Sequence, residues 1–257
     1  MTKVVVIGEV CIDEYVYGKC ERVCPEASAL CFNRSTSKNI SSNLGMAGNV
    51  VNNIKSISNN IQCDLISNDY VKDPIIKRRF IDEKYNTIVF REDVNDMCKT
   101  YNEDLSILKN ADYIVISDYN KGFLTYDHYK TIRDIANKAT IFADTKKRID
   151  EDLAKCVDFF KINTDEYNKN VAKTSTLLQY CQMIVTGGAS GCKLINEKFI
   201  KNFDTHQIEV RDVCGAGDTF IAALVVKYVE HQEIQESIKY ANKMAGLVVQ
   251  KLGVSVP

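Results

Sequence analysis

The chain has 257 residues, 45% of them hydrophobic, and a formal net charge of -1. That supports one substantial core, and length alone is compatible with one domain or two. The charge balance lacks the basic excess of nucleic-acid-binding proteins, and no apolar run is long enough for a signal peptide or a membrane span. A cytoplasmic protein with no nucleic-acid or membrane partner is expected.

Residues 3–8 read as a buried strand. Residues 44–58 read as a helix, followed by a strand at 61–67. A strand at 112–117 leads into a helix near 125–138. Residues 140–144, 158–162 and 183–186 are further strands with helical stretches between them. Two helices, 215–230 and 234–252, close the chain. Strands alternating with helices predict an α/β fold with a mostly parallel central sheet and helices on both faces. Ligands in such folds bind beyond the carboxyl ends of the strands. Two regions break the rhythm with short alternating segments, residues 15–32 and 78–91, with a hairpin turn at 83–86. They predict a small β lid, built from about 13–33 and 75–93. With no Pro/Gly/Ser-rich linker and no repeat, one domain spanning 1–257 with that lid is expected.

The ten cysteines are scattered and form no Cys-x-x-Cys pair. They read as reduced thiols filling small apolar positions, not as a zinc site or a disulfide framework. The three histidines, His128, His206 and His231, stand in unrelated polar contexts and carry no assigned chemistry.

The most informative stretch is Val210-Arg-Asp-Val-Cys-Gly-Ala-Gly-Asp-Thr-Phe220. A short β-like segment at 207–210 enters a Gly-Ala-Gly turn, and a helix begins at once. Small residues at 215–217 let backbone approach a ligand closely. The first N–H groups of a helix lack internal partners and point outward at the positive end of its dipole. That geometry binds phosphate or a developing anion. Asp218 in the same turn suits proton abstraction from an attacking hydroxyl. An aspartate in a first helical turn is equally an ordinary cap. No Gly-Lys-Ser/Thr follows, so this is not a P-loop.

Asp212-Val-Cys-Gly-Ala-Gly-Asp-Thr-Phe220 resembles the C-terminal signature of the PfkB/ribokinase carbohydrate kinases. Val6-Ile-Gly-Glu-Val-Cys-Ile-Asp13 and Pro25-Glu-Ala27 resemble the opening of the D-glycero-β-D-manno-heptose-7-phosphate kinases of that family. Leu44-Gly-Met-Ala-Gly-Asn-Val50, Ser117-Asp-Tyr-Asn-Lys-Gly122, Asn163-Thr-Asp-Glu166 and Val185-Thr-Gly-Gly-Ala-Ser-Gly191 resemble further family segments, as does the helix from Ala241 to Gly253. The resemblance covers nearly the whole chain.

What it implies is a ribokinase-like fold and an ATP-dependent, Mg²⁺-assisted carbohydrate kinase. Asp218 would be the base, and the amides of Gly215, Ala216 and Gly217 would stabilise the travelling phosphoryl group with its own. Asn163 and Glu166 would organise Mg²⁺ through water; a capped helix N-terminus is the plainer alternative. Asp13, Gly45 and Asn49 would line the sugar site, although Asp13 also suits a solvated turn. Arg79 and Lys121, with Arg91 as a weaker candidate, would meet a phosphate already on the substrate; surface charge is their alternative. Asp144 would lie near the nucleotide phosphates or metal, with Lys146 close by, and Asn163 would also count among the cofactor-binding residues. Thr186, Gly188 and Gly191 would form the adenine-ribose side, with Asn242 near the base, although an ordinary β-turn also uses such glycines.

The implied reaction is phosphorylation of heptose 7-phosphate at its anomeric hydroxyl, on the way to nucleotide-activated heptose for lipopolysaccharide. Another sugar kinase of the same fold, and a sugar- or nucleotide-binding protein without turnover, are the competing readings. Homodimerisation through the lid is a family-level expectation. Three departures stand out. Met46 replaces the second glycine of the usual pair, and Cys214 replaces a small residue before Gly215. Between Asp64 and Arg79 roughly one βα unit is missing. No second domain follows Pro257, so no adenylyltransferase activity is expected.

Overall fold

The structure, a computed structural model, describes residues 1–37, 40–170, 174–205, 209–251, 253 and 255–257. In chain order it begins with β1 (Thr2–Gly8), β2 (Val10–Val23), β3 (Leu30–Arg34), β4 (Ser41–Met46) and α1 (Ala47–Ile57). Next come β5 (Ile61–Ile66), β6 (Ile75–Asp82), β7 (Thr87–Val94), β8 (Tyr113–Asp118), α2 (Tyr126–Ile135) and β9 (Thr140–Thr145). The rest is α3 (Glu151–Ala154), β10 (Phe159–Asn163), α4 (Thr164–Asn170), α5 (Thr174–Leu177), β11 (Gln182–Thr186), β12 (Cys192–Ile195), β13 (Ile200–Phe203), α6 (Ala216–His231) and α7 (Ile234–Val248).

Eight strands form the main sheet in the order β13-β12-β11-β10-β9-β8-β1-β5. The six from β11 to β5 pair in parallel, and β12 and β13 add an antiparallel hairpin at one edge. Alternate residues of each strand enter opposite layers. Val5, Ile7, Ile114, Ile141 and Phe160 pack with Tyr129 of α2 on one face. Val4, Val6, Val115 and Phe142 pack with α1, α6 and α7 on the other. Burial on both faces explains why these strands read as continuous apolar runs. Helix α6 is buried from Asp218 through Val226, so its start is held rigidly against the sheet.

A second sheet of five strands runs β3-β2-β6-β7, with β4 also paired to β2. Here β2 and β6 are parallel and the other pairs antiparallel. Register places Tyr15 opposite Arg79 and Asp13 opposite Lys77. The Phe80 and Phe90 rings stack at 4.0 Å between centroids. The two sheets are stitched where β1 becomes β2. Asn68 accepts from the Val10 N–H at 2.7 Å and donates to the Val10 carbonyl at 3.2 Å, standing in for a strand partner.

The fold expected from the sequence is present, with local corrections. The helix expected from residue 44 starts at Ala47, because residues 41–46 pair with β2 instead. The turn between them puts Met46 at φ 56, ψ −131, a conformation glycine adopts freely and methionine does not. The resemblance drawn from the sequence leads to the expectation of glycine here. The last helix ends at Val248, and residue 252, within its expected span, lies outside the described residues. Of the β-like segment expected at 207–210, residues 207 and 208 lie outside the described residues, and Glu209 and Val210 carry no strand. The β12–β13 hairpin was not expected. Chain 67–74 passes from β5 to β6 without a helix, so β5 is the sheet's edge.

Candidate active site

The Gly-Ala-Gly-Asp turn lies at the carboxyl end of the parallel strands. Gly215 caps α6 at φ 76, in the left-handed region that favours glycine. Asp212 fixes the approach, accepting from the N–H groups of Cys214 and Gly253, each at 2.9 Å. The first intrahelical bond runs from Thr219 N to Gly215 O at 2.9 Å, so the N–H groups of Gly217 and Asp218 have no intrahelical acceptor.

Asp218 is 4% exposed. Asn49 donates to its Oδ2 at 3.0 Å and the Tyr119 hydroxyl to its Oδ1 at 2.8 Å. Burial pushes its carboxyl up to about 6; the Asn49 and Tyr119 bonds pull down, and Asp144 adds a smaller push upward. The donors are held in turn. Asn53 bonds Asn49 Oδ1 at 2.9 Å and accepts from Thr219 at 3.0 Å, closing a chain between α1 and α6. Tyr119 is held by its own N–H, which donates to buried Glu9 at 2.8 Å. Glu9 also accepts from the N–H of Lys121 at 2.9 Å. The ammoniums of Lys77 and Lys146 lie 5.1 and 5.4 Å from the Tyr119 ring centroid.

Of the residues expected on the sugar side, Asn49 bonds that carboxylate, and Asp13 and Gly45 meet each other. A Cβ on Gly45 would meet Asp13 Oδ2 at 2.0 Å, so only glycine fits beside that aspartate. Asp13 is buried and paired with buried Arg79. Burial works against the Arg79 charge, but Asp13 outweighs it and holds the guanidinium protonated. The Arg79 charge, expected to meet a substrate phosphate, is therefore engaged by the carboxylate expected to meet a sugar hydroxyl. Lys121 pairs with Asp96, and Arg91 with Asp93.

Four of the residues expected on the nucleotide side lie together. Thr186, Gly188, Gly191 and Asn242 line one cavity of about 530 Å³ with Ala216 and Gly217 of the turn. Gly191 has φ +77, and a Cβ there would lie 2.1 Å from the Phe203 carbonyl oxygen. Asn163 and Glu166 cap each other: the Asn163 N–H donates to Glu166 Oε2 and the Glu166 N–H to Asn163 Oδ1, both at 2.9 Å. That is the geometry of the helix-cap alternative. Glu166 also pairs with Lys146. Burial lowers the Lys146 pKa, and the nearby Asp144 and Glu166 more than reverse it.

Three functional candidates escaped the sequence reading. Glu9 and Tyr119 lie inside recognised segments, but their targets are 110 and 99 residues away in the chain. Lys161 donates to Asp144 Oδ2 at 2.6 Å, with both side chains about 6% exposed. Its signal was a lone charge in the apolar run Phe159-Phe160-Lys161-Ile162.

Comparison with known proteins agrees with this geometry. The description of the pfkB family carbohydrate kinases matches residues 52–257. The chain belongs to that family. Its reaction class is ATP-dependent phosphorylation of a carbohydrate. The bifunctional protein HldE of Nitratiruptor sp. is 26% identical over 98% of this chain and 62% of its own length. The chain thus spans about three-fifths of such curated relatives. Ribokinase from Thermotoga maritima superposes with a TM-score of 0.75 at 17% identity, covering 100% of this chain and 96% of that one. Arabidopsis thaliana ribokinase complexed with ribose and ATP gives 0.68 at 16% identity, covering 98% and 94%. These likenesses show the ribokinase-like fold. Among the described residues, no helix of this kinase is long and apolar enough to cross a membrane.

Proposed function

We propose that this kinase transfers the γ-phosphoryl group of ATP to the anomeric hydroxyl of a sugar phosphate, D-glycero-β-D-manno-heptose 7-phosphate, giving the 1,7-bisphosphate. The observation that carries the proposal is Asp218: a buried carboxylate with two donors, a pKa near 6, and the free amides of α6 beside it. Asp218 takes the hydroxyl proton as the sugar oxygen bonds to phosphorus. The bond from phosphorus to the bridging oxygen breaks, and ADP leaves with that electron pair. The amides of Gly217 and Asp218 face the charge that builds on the phosphoryl oxygens. The cavity reaching Gly217 takes the nucleoside, and Asp13, Gly45 and Asn49 take sugar hydroxyls.

The heptose assignment rests on the opening segment Val6–Asp13 and on the similarity to HldE. Lys77, Arg91 and Lys121 surround Asp93 closely enough to stabilise its charge, after the direct Arg91 bond, and offer cations to a second phosphate. Mg²⁺ fits the oxygen donors at the strand ends: Asp144 Oδ1 is buried with no partner among the described residues, and both Asp144 and Glu166 act on the charge of Lys146. When bound, it supplies neutralising charge to the nucleotide phosphates while keeping several waters. The second sheet acts as the lid. Its exposed Phe90, stacked on Phe80, supports pairing with a second copy.

The test measures ADP release by the purified chain with heptose 7-phosphate, fructose 6-phosphate, fructose and ribose in parallel. Highest kcat/KM with heptose 7-phosphate is expected. Preference for another sugar overturns the substrate, and nucleotide binding without any sugar phosphorylation overturns the kinase assignment.

A further inference from the structure

Glu9 links β1 to β2 and is fully buried. Its side chain reaches the turn that follows β8. The Tyr119 N–H donates to its Oε2 at 2.8 Å, and the N–H groups of Lys121 and Phe123 donate to its Oε1 at 2.9 and 3.3 Å. Asn120, between the first two, stands at φ 57, and its own N–H turns aside to Asp118. Such a bend cups an anion between backbone donors. Here the anion belongs to the chain itself.

Burial is unfavourable for this carboxylate. Desolvation and the nearby Asp118 charge raise its pKa, against the pull of the Tyr119 and Lys121 N–H groups. Cys98 and Tyr129 also face it, and Asp118 is itself paired with Lys147 at 3.4 Å. A charge is not needed to join the sheets at this point, because Asn68 does so at Val10 with a neutral amide. What a carboxylate adds is acceptors at both atoms and no donor. Its position adds more. Tyr119 is one of the two donors to Asp218, and Asn49, in the first turn of α1, is the other. Glu9 reaches that helix too: its carbonyl accepts from the Ala47 N–H at 2.9 Å, a group without an intrahelical acceptor. Both donors to the base therefore depend on one residue, Tyr119 on its side chain and Asn49 on its backbone.

We propose that Glu9 is a positioning residue for phosphoryl transfer, setting Tyr119 with its carboxylate and Asn49 with its carbonyl around the base Asp218. The proposal rests on the kinase reading above. The two arms are separable. Replacing the side chain leaves the carbonyl bond to Ala47, and with it Asn49. In Glu9→Gln the amide can present oxygen on one side only. It keeps more bonds with that oxygen toward Lys121 and Phe123. Its NH₂ group then faces the Tyr119 N–H, donor against donor, and Tyr119 is released.

The experiment follows the Asp218 carboxyl by carbon NMR titration in the full-length wild type, Glu9→Gln, Tyr119→Phe and the double variant, without ligands. Asp218→Asn assigns the resonance. Glu9→Gln should raise the Asp218 midpoint by about one pH unit, the scale of one bond to a charged group, as Tyr119→Phe does. The double variant should move no further, because both changes remove the same bond. A Glu9 that only supports the fold would lower thermal stability and leave the midpoint in place, or would add its own shift to that of Tyr119→Phe. Either result overturns the proposal. With ATP, Mg²⁺ and sugar, the acid limb of the kcat profile should move with the midpoint in Glu9→Gln, while the nucleotide KM stays within about twofold of wild type. Should Glu9→Gln fail to fold, Glu9→Asp keeps both acceptors but stops one methylene short of the Tyr119 N–H. A folded Glu9→Asp with the wild-type midpoint also overturns the proposal. A wild type that phosphorylates no sugar, alongside the expected midpoint shifts, would sink only the kinase reading and leave the hold of Glu9 on Asp218 standing.

Discussion

On one flank of the α6 N-terminus, the cavity reaching Asn242 is walled by small and apolar groups such as Gly188, Ala189, Val213 and Ala245. On the other flank, at the second sheet, charges are already paired with one another: Arg79 with Asp13, Lys121 with Asp96, Arg91 with Asp93. The first flank offers shape and backbone, which suits a flat heterocycle at little electrostatic cost. The second offers charges whose partners must be exchanged when a polar ligand arrives. Affinity for the nucleoside should therefore depend on space, and affinity for the sugar on the balance of pairs. Asp218 lies between them and belongs to neither.

The largest effect should come from Asp218→Asn. Its kcat should fall by about a thousandfold, the scale of losing a general base. AMP-PNP affinity should persist, because the cavity is untouched. Stability should move the other way. The folded pKa of about 6 lies above the ordinary 3.8, so between these values the native state holds a proton that the unfolded chain has released. Stability therefore falls as pH rises through that window and stays lowered above it. Asparagine removes this penalty. At pH 8 the variant should gain on the order of 2 kcal/mol in denaturant melts, with little gain at pH 4. A less stable variant at pH 8 would break the account of Asp218.

Arg79→Ala comes next, and tests the charged flank. It strands Asp13 in a buried site and should lose about 3 kcal/mol of stability. Adding Asp13→Asn should restore most of that stability while the sugar KM stays raised. A single variant with wild-type stability would show that the two flanks differ less than their charges suggest.

Tyr119→Phe is subtler. It removes one of the bonds that hold the Asp218 pKa down. The acid limb of the kcat profile should move upward by about one pH unit, the scale of a bond to a charged group. Activity at pH 6 should fall several-fold, with little change at pH 8. A uniform loss at every pH would mean that the hydroxyl has another role.

The smallest net effect should come from Met46→Gly. Losing a side chain that is 2% exposed costs about 2 kcal/mol, and relief of the positive φ returns about 1–2 of it. Thermal melts should shift by only a few degrees. A large loss would mean that Met46 is held by more than its packing against Cys11 and Ile75.

The parts of this site legible in the sequence are those where backbone geometry restricts residue type. Gly215, Gly217 and Asp218 stand out because a tight turn into a helix tolerates few alternatives. The parallel sheet was legible because strands covered on both faces are apolar throughout. Asp13, Gly45 and Asn49 could be placed only through resemblance, since each is an ordinary residue until β2, β4 and α1 meet. Lys161 was hidden for the same reason: its neighbour Gly217 lies 56 positions away in the chain, and nothing local links them. Segments β12 and β13, four residues each, are too short for periodicity to reveal.

The short connection between β5 and β6 has a consequence for solubility. With β1 as its only sheet neighbour among the described residues, β5 presents a row of backbone donors and acceptors along its outer side, a template for self-association. Its sequence interrupts that template with Gln62 and Asp64, and Asp64 pairs with Lys3 on β1 at 3.3 Å. Two polar side chains are left to guard a border that no further strand of the main sheet seals among the described residues.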